Sequence, residues 1–328
     1  MSIPVGVVGI SGYGGGEVLR LCAAHPSFEV VYAAGDSSAG QLLIDRFPGI
    51  DPKLADLTIS KWDPAAIPKI DLLFASLPTG QSKESLARVP ANIKIVDIGG
   101  DHRYAPGWTY GLADVWPDKI RSSTRLANPG CYPSAALAAI APLLAGGLVQ
   151  NDHPIIIDAK SGVSGAGRGG GDSKFGFAEV NEDVAAYGLL KHAHVPEITE
   201  TVKALASSTG ASSPRIVFTP HLIPMTRGIL ATCYLAGDAS TEQCMAAARK
   251  FYSNRPFVRV IDKPPHTKWA TGSNLAFVSY SAAGNGTIIA LGAIDNLGKG
   301  AAGQAVQNAN LMCGLPQEMG LEGMPLWP

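Results

Sequence analysis

The chain has 328 residues, about twice the length of a typical domain of roughly 150 residues, so we expect two domains or one large one. Hydrophobic residues make up 46% and charged residues 16% of the sequence, a composition that excludes a mainly disordered chain. Lysine and arginine (26) almost balance aspartate and glutamate (27), and no basic run is interleaved with aromatic residues. We therefore expect no nucleic-acid partner.

The longest apolar stretch, residues 135–149, is interrupted by Pro142 and by Gly146-Gly147. A bilayer span needs about 20 uninterrupted apolar residues, so this stretch predicts a buried helix and no membrane partner. The first residues lack a basic stretch followed by an apolar one, and we expect a cytoplasmic protein. The five cysteines are odd in number and widely spaced, with no CxxC pair, which favours reduced thiols and no metal site.

The first 130 residues have the pattern of a parallel sheet. A short apolar run at 4–9 precedes a glycine-rich turn and a helical pattern, and a second strand is predicted at 28–34. Further apolar runs at 71–77 and 94–98 are typical of parallel strands covered on both faces. We therefore predict an α/β domain with a doubly wound, Rossmann-type parallel sheet over residues 1–132.

The pattern changes after Cys131. An Ala-rich helix is followed by strands predicted at 154–157, 215–219, 229–234, 277–280 and 287–293. Short turns and single helices between them favour antiparallel pairing, so we predict an α+β domain with a mixed or antiparallel sheet over 133–300. Residues 301–311 have helical composition, and we expect 301–328 to pack back on the first domain.

The glycine-rich turn resembles a dinucleotide-binding fingerprint. The GxGxxG pattern needs small residues so that a helix N-terminus can approach a pyrophosphate. Gly9, Ser11 and Gly14 occupy its three positions here. Ser11 makes the match imperfect, and an ordinary glycine-rich turn is the alternative. The order of strand, turn, helix and strand favours the cofactor site.

The end of the second predicted strand bears on the choice between NAD and NADP. An acidic residue there favours a free ribose hydroxyl, whereas hydroxyl or basic groups favour a 2′-phosphate. Asp36 could accept a hydrogen bond from a ribose, but Ser37 and Ser38 could donate to a phosphate, with Arg46 within reach. These residues favour NADP without excluding NAD.

Cys131 stands where a loop ends and the Ala-rich helix begins. A thiol at a helix N-terminus faces unpaired N–H groups and the positive end of the helix dipole, which favour the thiolate. Pro129 and Gly130 fix the turn before it. The alternative is a small buried hydrophobic residue, the commonest role of a free cysteine. We predict a nucleophile.

A base that activates a thiol near neutral pH is most often histidine. His192 and His194 form the only closely spaced pair, and alternate residues of an extended segment would point to the same side. Glu197 could orient one of the two rings. His221 is a rival base, and sequence spacing does not decide between it and the pair.

With these motifs, the chain resembles the N-acetyl-gamma-glutamyl-phosphate reductases of arginine biosynthesis, relatives of aspartate-semialdehyde dehydrogenase. The resemblance extends along essentially the whole chain. It rests on six blocks in order: 12–20 (GYGGGEVLR), 128–133 (NPGCYP), 161–168 (SGVSGAGR), 192–197 (HAHVPE), 221–228 (HLIPMTRG) and 295–308 (DNLGKGAAGQAVQN).

The resemblance implies NADPH-dependent reduction of N-acetylglutamyl 5-phosphate to the 5-semialdehyde through a cysteine thioester, by a homodimer or homotetramer. It also implies site residues of three kinds. Cys131, His194 and Glu197 would be catalytic; Gly9, Ser11, Gly12, Tyr13, Gly14, Ser37, Ser38, Leu77, Pro78, Ser164, Gly165 and Asn296 would bind the cofactor; Arg103, Asn128, Ser161, Tyr187 and His192 would bind the small-molecule substrate.

The chain departs from the family pattern in three places. Thr79 replaces a usual histidine, residues 99–103 read GGDHR rather than SADFR, and the segment between Trp108 and Gly111 is shortened. Two other functions stay open. The substrate could be another acyl phosphate, such as aspartyl or aminoadipyl phosphate, or the protein could be a dinucleotide-binding redox sensor without turnover.

Overall fold

The computed structural model describes residues 2–168 and 175–327 and divides the chain into two compact units. The first unit contains the chain up to Pro129 together with Ala301–Gly323, and the second contains Gly130–Gly300 together with the residues from Met324 onward. Of the segment 301–328, expected to return to the first domain, the structure therefore groups the last residues with the second unit.

The helices and strands are labelled in chain order. The strands are β1 (Ile3–Val8), β2 (Phe28–Ala34), β3 (Leu72–Ala75), β4 (Lys94–Asp97), β5 (Thr109–Tyr110), β6 (Arg125–Ala127), β7 (Ile155–Ser161), β8 (Ala185–Ala186), β9 (Ile216–Leu222), β10 (Ile229–Ala236), β11 (Val258–Val260), β12 (Ala276–Ala282) and β13 (Thr287–Ile294). The α-helices are α1 (Tyr13–Ala23), α2 (Leu43–Arg46), α3 (Ser82–Ala87), α4 (Pro117–Arg121), α5 (Cys131–Ala145), α6 (Phe177–Val180), α7 (His194–Ser207), α8 (Thr241–Phe251) and α9 (Gly303–Met312).

The described part of the first unit contains a six-stranded sheet in the order β2-β1-β3-β4-β6-β5. Each pair of neighbouring strands is parallel, which confirms the predicted doubly wound sheet. Residues of β1, β3 and β4 such as Val7, Phe74 and Val96 are completely buried, as expected for strands covered on both faces. The sequence did not predict β5 and β6, because runs of two and three residues carry too little pattern.

The helix α9 returns to the first unit and is buried although it is polar. Gln304, Gln307, Asn308 and Asn310 have no exposed surface. The side-chain amides of Gln304 and Asn308 donate to the carbonyl oxygen of Gly111 at 2.9 and 2.8 Å. Buried amides are stable only when they are hydrogen-bonded, so these contacts fix the position of α9.

His25, which follows α1, is also buried and links the helix end to α9. Its Nδ1 accepts hydrogen bonds from the N–H groups of Ser27 and Phe28, both at 3.1 Å. Its Nε2 therefore carries the proton of the neutral ring and donates to Asn310 Oδ1 at 3.0 Å. Burial lowers the pKa of His25 below its usual 6.5.

We expect His25 to make the stability of the protein depend on pH. Below pH 6.5 the unfolded chain takes up a proton that the folded chain refuses, so the free energy of unfolding falls as the pH decreases; above that pH His25 adds no dependence. The midpoint of thermal unfolding, measured from pH 7.5 to 5, should fall less in His25→Gln than in the wild type. A His153→Gln variant is the control, because His153 is exposed. Parallel curves of the unfolding midpoint against pH for His25→Gln and the wild type would contradict the assignment of this pH dependence to His25.

The described residues of the second unit form a seven-stranded sheet in the order β11-β12-β13-β10-β7-β9-β8. The pairs β7–β9 and β11–β12 are parallel and the others are antiparallel. The sheet is therefore mixed, which confirms the predicted α+β domain with a mixed or antiparallel sheet. The parallel pairs arise because helices such as α7 lie between strands that become neighbours.

The second sheet is packed unequally on its two faces. The helix α5 lies against β13 and β10, and Gly292 allows this close approach because a Cβ there would overlap the carbonyl oxygen of Ala135. The hydroxyls of Tyr252 and Tyr280 donate to carbonyl oxygens of α5. On the other face, Ile156 and Tyr234 are 41% and 37% exposed. Within residues 2–168 and 175–327, none of the helices combines the length and the apolar character needed to cross a bilayer.

Candidate active site

Cys131 is the first residue of α5, as the sequence predicted. The N-cap residue Gly130 has no side chain to accept from the first N–H groups of the helix, which leaves these groups and the helix dipole directed at the thiol. Cys131 is partly exposed, whereas Cys22 and Cys233 are buried. Burial raises the pKa of the Cys233 thiol to about 12, so that thiol stays protonated and unreactive.

His194 and Glu197 lie in the first turn of α7. The expected extended segment around the histidine pair was wrong, because the helix begins at His194 and proline is tolerated in a first helical turn. The carboxylate of Glu197 is 3% exposed, and its Oε1 accepts a hydrogen bond from the N–H of Gly130 at 2.8 Å. Glu197 therefore fixes the backbone immediately before Cys131.

The imidazole of His194 lies directly against Gly130. A Cβ placed on Gly130 would fall on the ring, with Cδ2 at 2.7 Å and Cε1 at 2.8 Å. The glycine is required by this contact rather than by its backbone, because its φ of −70° and ψ of 159° suit any residue. His194 is thus the histidine that the fold places beside the residue preceding the thiol.

His192 lies next to His194, with ring centroids 4.7 Å apart. Its Nδ1 accepts a hydrogen bond from the backbone N–H of His194 at 3.1 Å. Burial lowers the pKa of His192, so the ring is neutral at neutral pH, with its proton on Nε2. His192 can donate one hydrogen bond from Nε2 to a bound molecule.

Two tyrosines line the same region. The hydroxyl of Tyr187 donates to the hydroxyl of Tyr132 at 3.0 Å, and Tyr132 donates to the carbonyl oxygen of His221 at 3.0 Å. Burial, with the nearby Cys131 adding to it, raises the pKa of Tyr187 to about 12 and that of Tyr132 further. Both hydroxyls therefore stay protonated near a thiolate.

His221, the rival base, lies in β9 with its ring in a different setting. Its Nδ1 is 3.1 Å from Oδ1 of Asp158, and the same oxygen is 2.8 Å from Nζ of Lys160. Asp158, Lys160 and His221 therefore lie together in one polar cluster. The structure brings His194, rather than His221, against Gly130.

The predicted glycine tract follows β7. Asn296 Nδ2 donates to Ser164 Oγ at 2.8 Å, and Asn296 Oδ1 accepts from the N–H of Gly228 at 2.6 Å. A Cβ on Gly165 would lie 2.9 Å from Ser161 Oγ, so Ser161, Ser164, Gly165 and Asn296 belong to one cluster. Residues 169–171 of the tract lie outside the described residues.

Two further features near Cys131 escaped the sequence analysis. A Cβ on Gly300 would lie 2.9 Å from Cβ of Cys131, so this glycine gives the thiol its space. The fully buried Asp295 shapes the turn that leads to Gly300 and accepts hydrogen bonds from Arg227 Nε at 2.9 Å and from the N–H of Gly298 at 3.0 Å. The only sequence signal is their place in the block 295–308.

The first unit contains the glycine-rich turn. Gly9 has φ +81°, and a Cβ there would overlap the carbonyl oxygen of Ser76. A Cβ on Gly15 would overlap the carbonyl oxygen of Gly9. The N-cap of α1, Gly12, has no capping side chain, and the exposed Tyr13 follows it. These residues fit a pyrophosphate at a helix N-terminus.

The hydroxyls of Ser11 and Ser38 are 2.8 Å apart, and Nη2 of Arg46 donates to the carbonyl oxygen of Ser11 at 3.3 Å. Nε of Arg46 is buried without a hydrogen-bond partner among the described residues. Asp36 and Ser37 are exposed beside this group. Two hydroxyls and a guanidinium suit a phosphate better than a ribose hydroxyl.

The other predicted binding residues of the first unit occupy loops after the strands. Leu77 and Pro78 follow β3. Nε of Arg103 donates to the carbonyl oxygen of Asn128 at 3.0 Å. Asn128 itself is fully buried, and its side chain donates to the carbonyl oxygen of Ala301 at 3.1 Å and accepts from Asn308 at 2.9 Å. Its amide therefore anchors the return of the chain to the first unit.

Comparisons with known proteins identify the family of the chain. The family model "Semialdehyde dehydrogenase, NAD binding domain" matches residues 4–123, and "Semialdehyde dehydrogenase, dimerisation domain" matches residues 131–296. The N-acetyl-gamma-glutamyl-phosphate reductases of a Methylobacterium strain and of Bradyrhizobium strain BTAi1 are 66% and 67% identical over 329 residues, covering 100% of both chains in each case. The reductase of Salinispora arenicola is 41% identical over 349 residues, with the same coverage.

Solved structures show the same fold. Aspartate semialdehyde dehydrogenase II of Vibrio cholerae, complexed with ASA, has a TM-score of 0.75 at 18% identity and covers 96% of this chain and 99% of its own. Aspartate semialdehyde dehydrogenase of Candida albicans, solved with NADP, has a TM-score of 0.75 at 16% identity, with 95% and 98% covered.

Proposed function

The chain belongs to the N-acetyl-gamma-glutamyl-phosphate reductases, NADP-dependent oxidoreductases of the semialdehyde dehydrogenase family, and from this premise we propose which residues perform the reaction. The reaction converts N-acetylglutamyl 5-phosphate to N-acetylglutamate 5-semialdehyde and phosphate, a step of arginine biosynthesis. The observation that carries the proposal is the position of Cys131 at the start of α5, with His194 packed against Gly130.

Cys131 acts as the nucleophile. Its thiolate attacks the acyl carbon, a sulfur–carbon bond forms, and the bond from that carbon to the phosphate oxygen breaks with release of inorganic phosphate. The N–H groups at the start of α5 stabilise the thiolate, and Gly300 leaves space beside it. Glu197 keeps Gly130, and with it the start of the helix, in place.

His194 moves the proton. It takes the proton that the Cys131 thiol gives up before the attack, and it returns this proton to the sulfur as the aldehyde leaves. NADPH, when bound, would supply the hydride that reduces the thioester. His192, through Nε2–H, is a donor for the substrate, and the oxygen of Tyr187, whose hydroxyl proton is donated to Tyr132, can accept a hydrogen bond from it. The ring of His221 lies beside Asp158 in β9, whereas the ring of His194 packs against Gly130, which favours His194 for the proton transfer.

Charge on the departing phosphate requires cationic and N–H donors. We assign this role to Arg103, because the N–H groups of residues 162–165 and 167 already donate to backbone carbonyl oxygens. Asn128 and Ser161 position their neighbours: the side chain of Asn128 is fully buried and bonded to Ala301 and Asn308, and the buried Ser161 donates to the carbonyl oxygen of Gly162.

The cofactor is NADP. The turn from Gly9 to Gly14 accommodates the pyrophosphate, and Ser11, Ser38 and Arg46 are suited to the 2′-phosphate. Ser164, Gly165 and Asn296 are further proposed cofactor-binding residues, and Asn296 is hydrogen-bonded to Ser164. Leu77 and Pro78, in the loop after β3, would bind the nicotinamide end of the cofactor.

The protein is proposed to form a homodimer or homotetramer in the cytoplasm. The match to a dimerisation domain supports self-association, and Ile156 and Tyr234 on the less covered face of the second sheet offer apolar surface to a second copy. Sedimentation at the mass of two or four chains is expected. A mass equal to one chain would contradict the proposal.

The function is tested in the reverse direction. With phosphate present, N-acetylglutamate 5-semialdehyde should support reduction of NADP⁺, whereas aspartate semialdehyde and aminoadipate semialdehyde should give at most about 1% of that rate. NAD⁺ should be a poorer acceptor than NADP⁺. A faster rate with another semialdehyde would reassign the substrate, and no rate with any of them would favour a redox sensor.

A further inference from the structure

A buried, hydrogen-bonded pair of an aspartate and a histidine lies where β4 ends, in a place that the proposed chemistry leaves unused. Asp97 has no exposed surface and His102 is 5% exposed. Nδ1 of His102 donates to Oδ2 of Asp97 at 2.6 Å. Because burying charges is costly, such a pair is weak evidence of stabilisation and often serves to fix a conformation.

The carboxylate and the carbonyl oxygen of Asp97 also accept hydrogen bonds from other residues. Its Oδ1 accepts from the N–H of Gly99 at 2.9 Å, and its Oδ2 also accepts from Ser82 Oγ at 3.2 Å. Its carbonyl oxygen accepts from the N–H of Asn128 at 2.7 Å. The residue thus joins the loop after β4 to the start of α3 and to the end of β6.

His102 is fixed on its other side as well. Its ring stacks on Trp108 with centroids 3.8 Å apart and planes 21° from parallel. Its carbonyl oxygen accepts from the N–H of Ala105 at 3.0 Å. Tyr104 has φ +60°, a conformation that residues other than glycine rarely adopt, and its ring stacks on Tyr110. The loop is therefore held in one conformation around His102.

Arg103 stands in the chain between His102 and Tyr104, whose rings both stack on aromatic neighbours. Its Nε donates to the carbonyl oxygen of Asn128 at 3.0 Å, and its Nη2 lies 3.4 Å from the carbonyl oxygen of Ile98. The backbone N–H of Asn128 donates to the carbonyl oxygen of Asp97, and Ile98 directly follows Asp97 in the chain. The orientation of the guanidinium therefore depends on the backbone that Asp97 and His102 organise.

We propose that His102, through its hydrogen bond to Asp97, is a positioning residue that orients Arg103 for the phosphate group of the substrate. The proposal rests on the function proposed above and adds a residue to it. An arginine held in place before binding loses less conformational freedom when it meets a phosphate, and its planar guanidinium needs the correct orientation to bond two phosphate oxygens.

The test uses two variants and the reverse reaction. His102→Phe keeps a flat ring against Trp108 but removes the donor, whereas His102→Asn places an amide N–H near the position of Nδ1. Losing a bond to a charged group is expected to raise the KM for inorganic phosphate about tenfold in His102→Phe. The KM values for semialdehyde and NADP⁺ should stay within about twofold, and His102→Asn should remain within about threefold of the wild type for phosphate.

Controls separate positioning from folding. The exposed His153 gives the matched variant His153→Phe, expected to behave as wild type. In the background Arg103→Ala, adding His102→Phe should not raise the phosphate KM further. The proposal is wrong if His102→Phe changes all three KM values alike, or if Arg103→Ala leaves the phosphate KM unchanged. Absence of wild-type turnover would instead overturn the proposed function, and this proposal with it.

Discussion

Replacing Cys131 by serine is expected to lower turnover by about three orders of magnitude or more. A serine hydroxyl at the start of α5 remains protonated near neutral pH, whereas the N–H groups of a helix N-terminus favour the ionised form of a thiol. The dissociation constant of NADPH should stay within about twofold, because the glycine-rich turn belongs to the first unit. Steady-state kinetics and fluorescence titration of NADPH measure the two effects.

A matched thiol keeps this result specific. Cys313 is the other cysteine that the structure describes as partly exposed, and burial raises its pKa, so Cys313→Ser should retain full activity. Quenching the wild type during turnover should yield an acyl adduct on the peptide that contains Cys131. Wild-type turnover by Cys131→Ser, or an adduct on another peptide, would refute covalent catalysis at this residue.

Gly130→Ala should lower kcat about 100-fold, because displacing a catalytic group by about 1 Å can have an effect of this size. The added methyl group would occupy the position of the His194 ring, while the backbone of residue 130 allows alanine. The KM for NADPH should change little. Steady-state kinetics in the direction of acyl-phosphate reduction, or in reverse, measure the loss.

Two comparisons isolate the contact with His194. Gly49→Ala introduces the same methyl group where nothing lies within 4 Å of it and should leave kcat unchanged. In a His194→Ala background, Gly130→Ala should lower kcat little further, since the ring that the added methyl group would displace is absent. Equal losses in both backgrounds would mean that the methyl group disturbs α5 itself and not the histidine.

Local patterns were sufficient to predict strands β1 to β4 of the first sheet and the place of Cys131. The long apolar strands β1 and β2 enclose the turn from Gly9 to Gly14, and Pro129-Gly130 marks the start of the Ala-rich helix. All of these signals come from neighbouring residues. The family membership, the fold class and the NADP-dependent function were predicted correctly because the six blocks lie in these local motifs.

Contacts between distant residues could not be predicted in this way. The packing of His194 on Gly130 joins residues 64 positions apart, and nothing in either segment specifies it. The parallel pairing of β7 with β9 likewise depends on which strand edge remains available after folding. The bond between Asp97 and His102 spans only five residues, but its meaning depends on burial, which the polar pattern of that loop does not indicate.

The contacts of the polar helix α9 determine when the first unit can be completed during synthesis of the chain. A nascent chain leaves the ribosome from its N-terminus, at about 5–20 residues per second, and domains tend to fold as they emerge. The nucleotide-binding half appears first, yet Gly111 and Asn128 receive their partners Gln304 and Asn308 only when almost the whole chain has been synthesised. The part of the protein that is synthesised first is thus completed by one of the last segments to be synthesised. A chain that ended before α9 would have a cofactor domain with buried amide groups that lack hydrogen-bond partners.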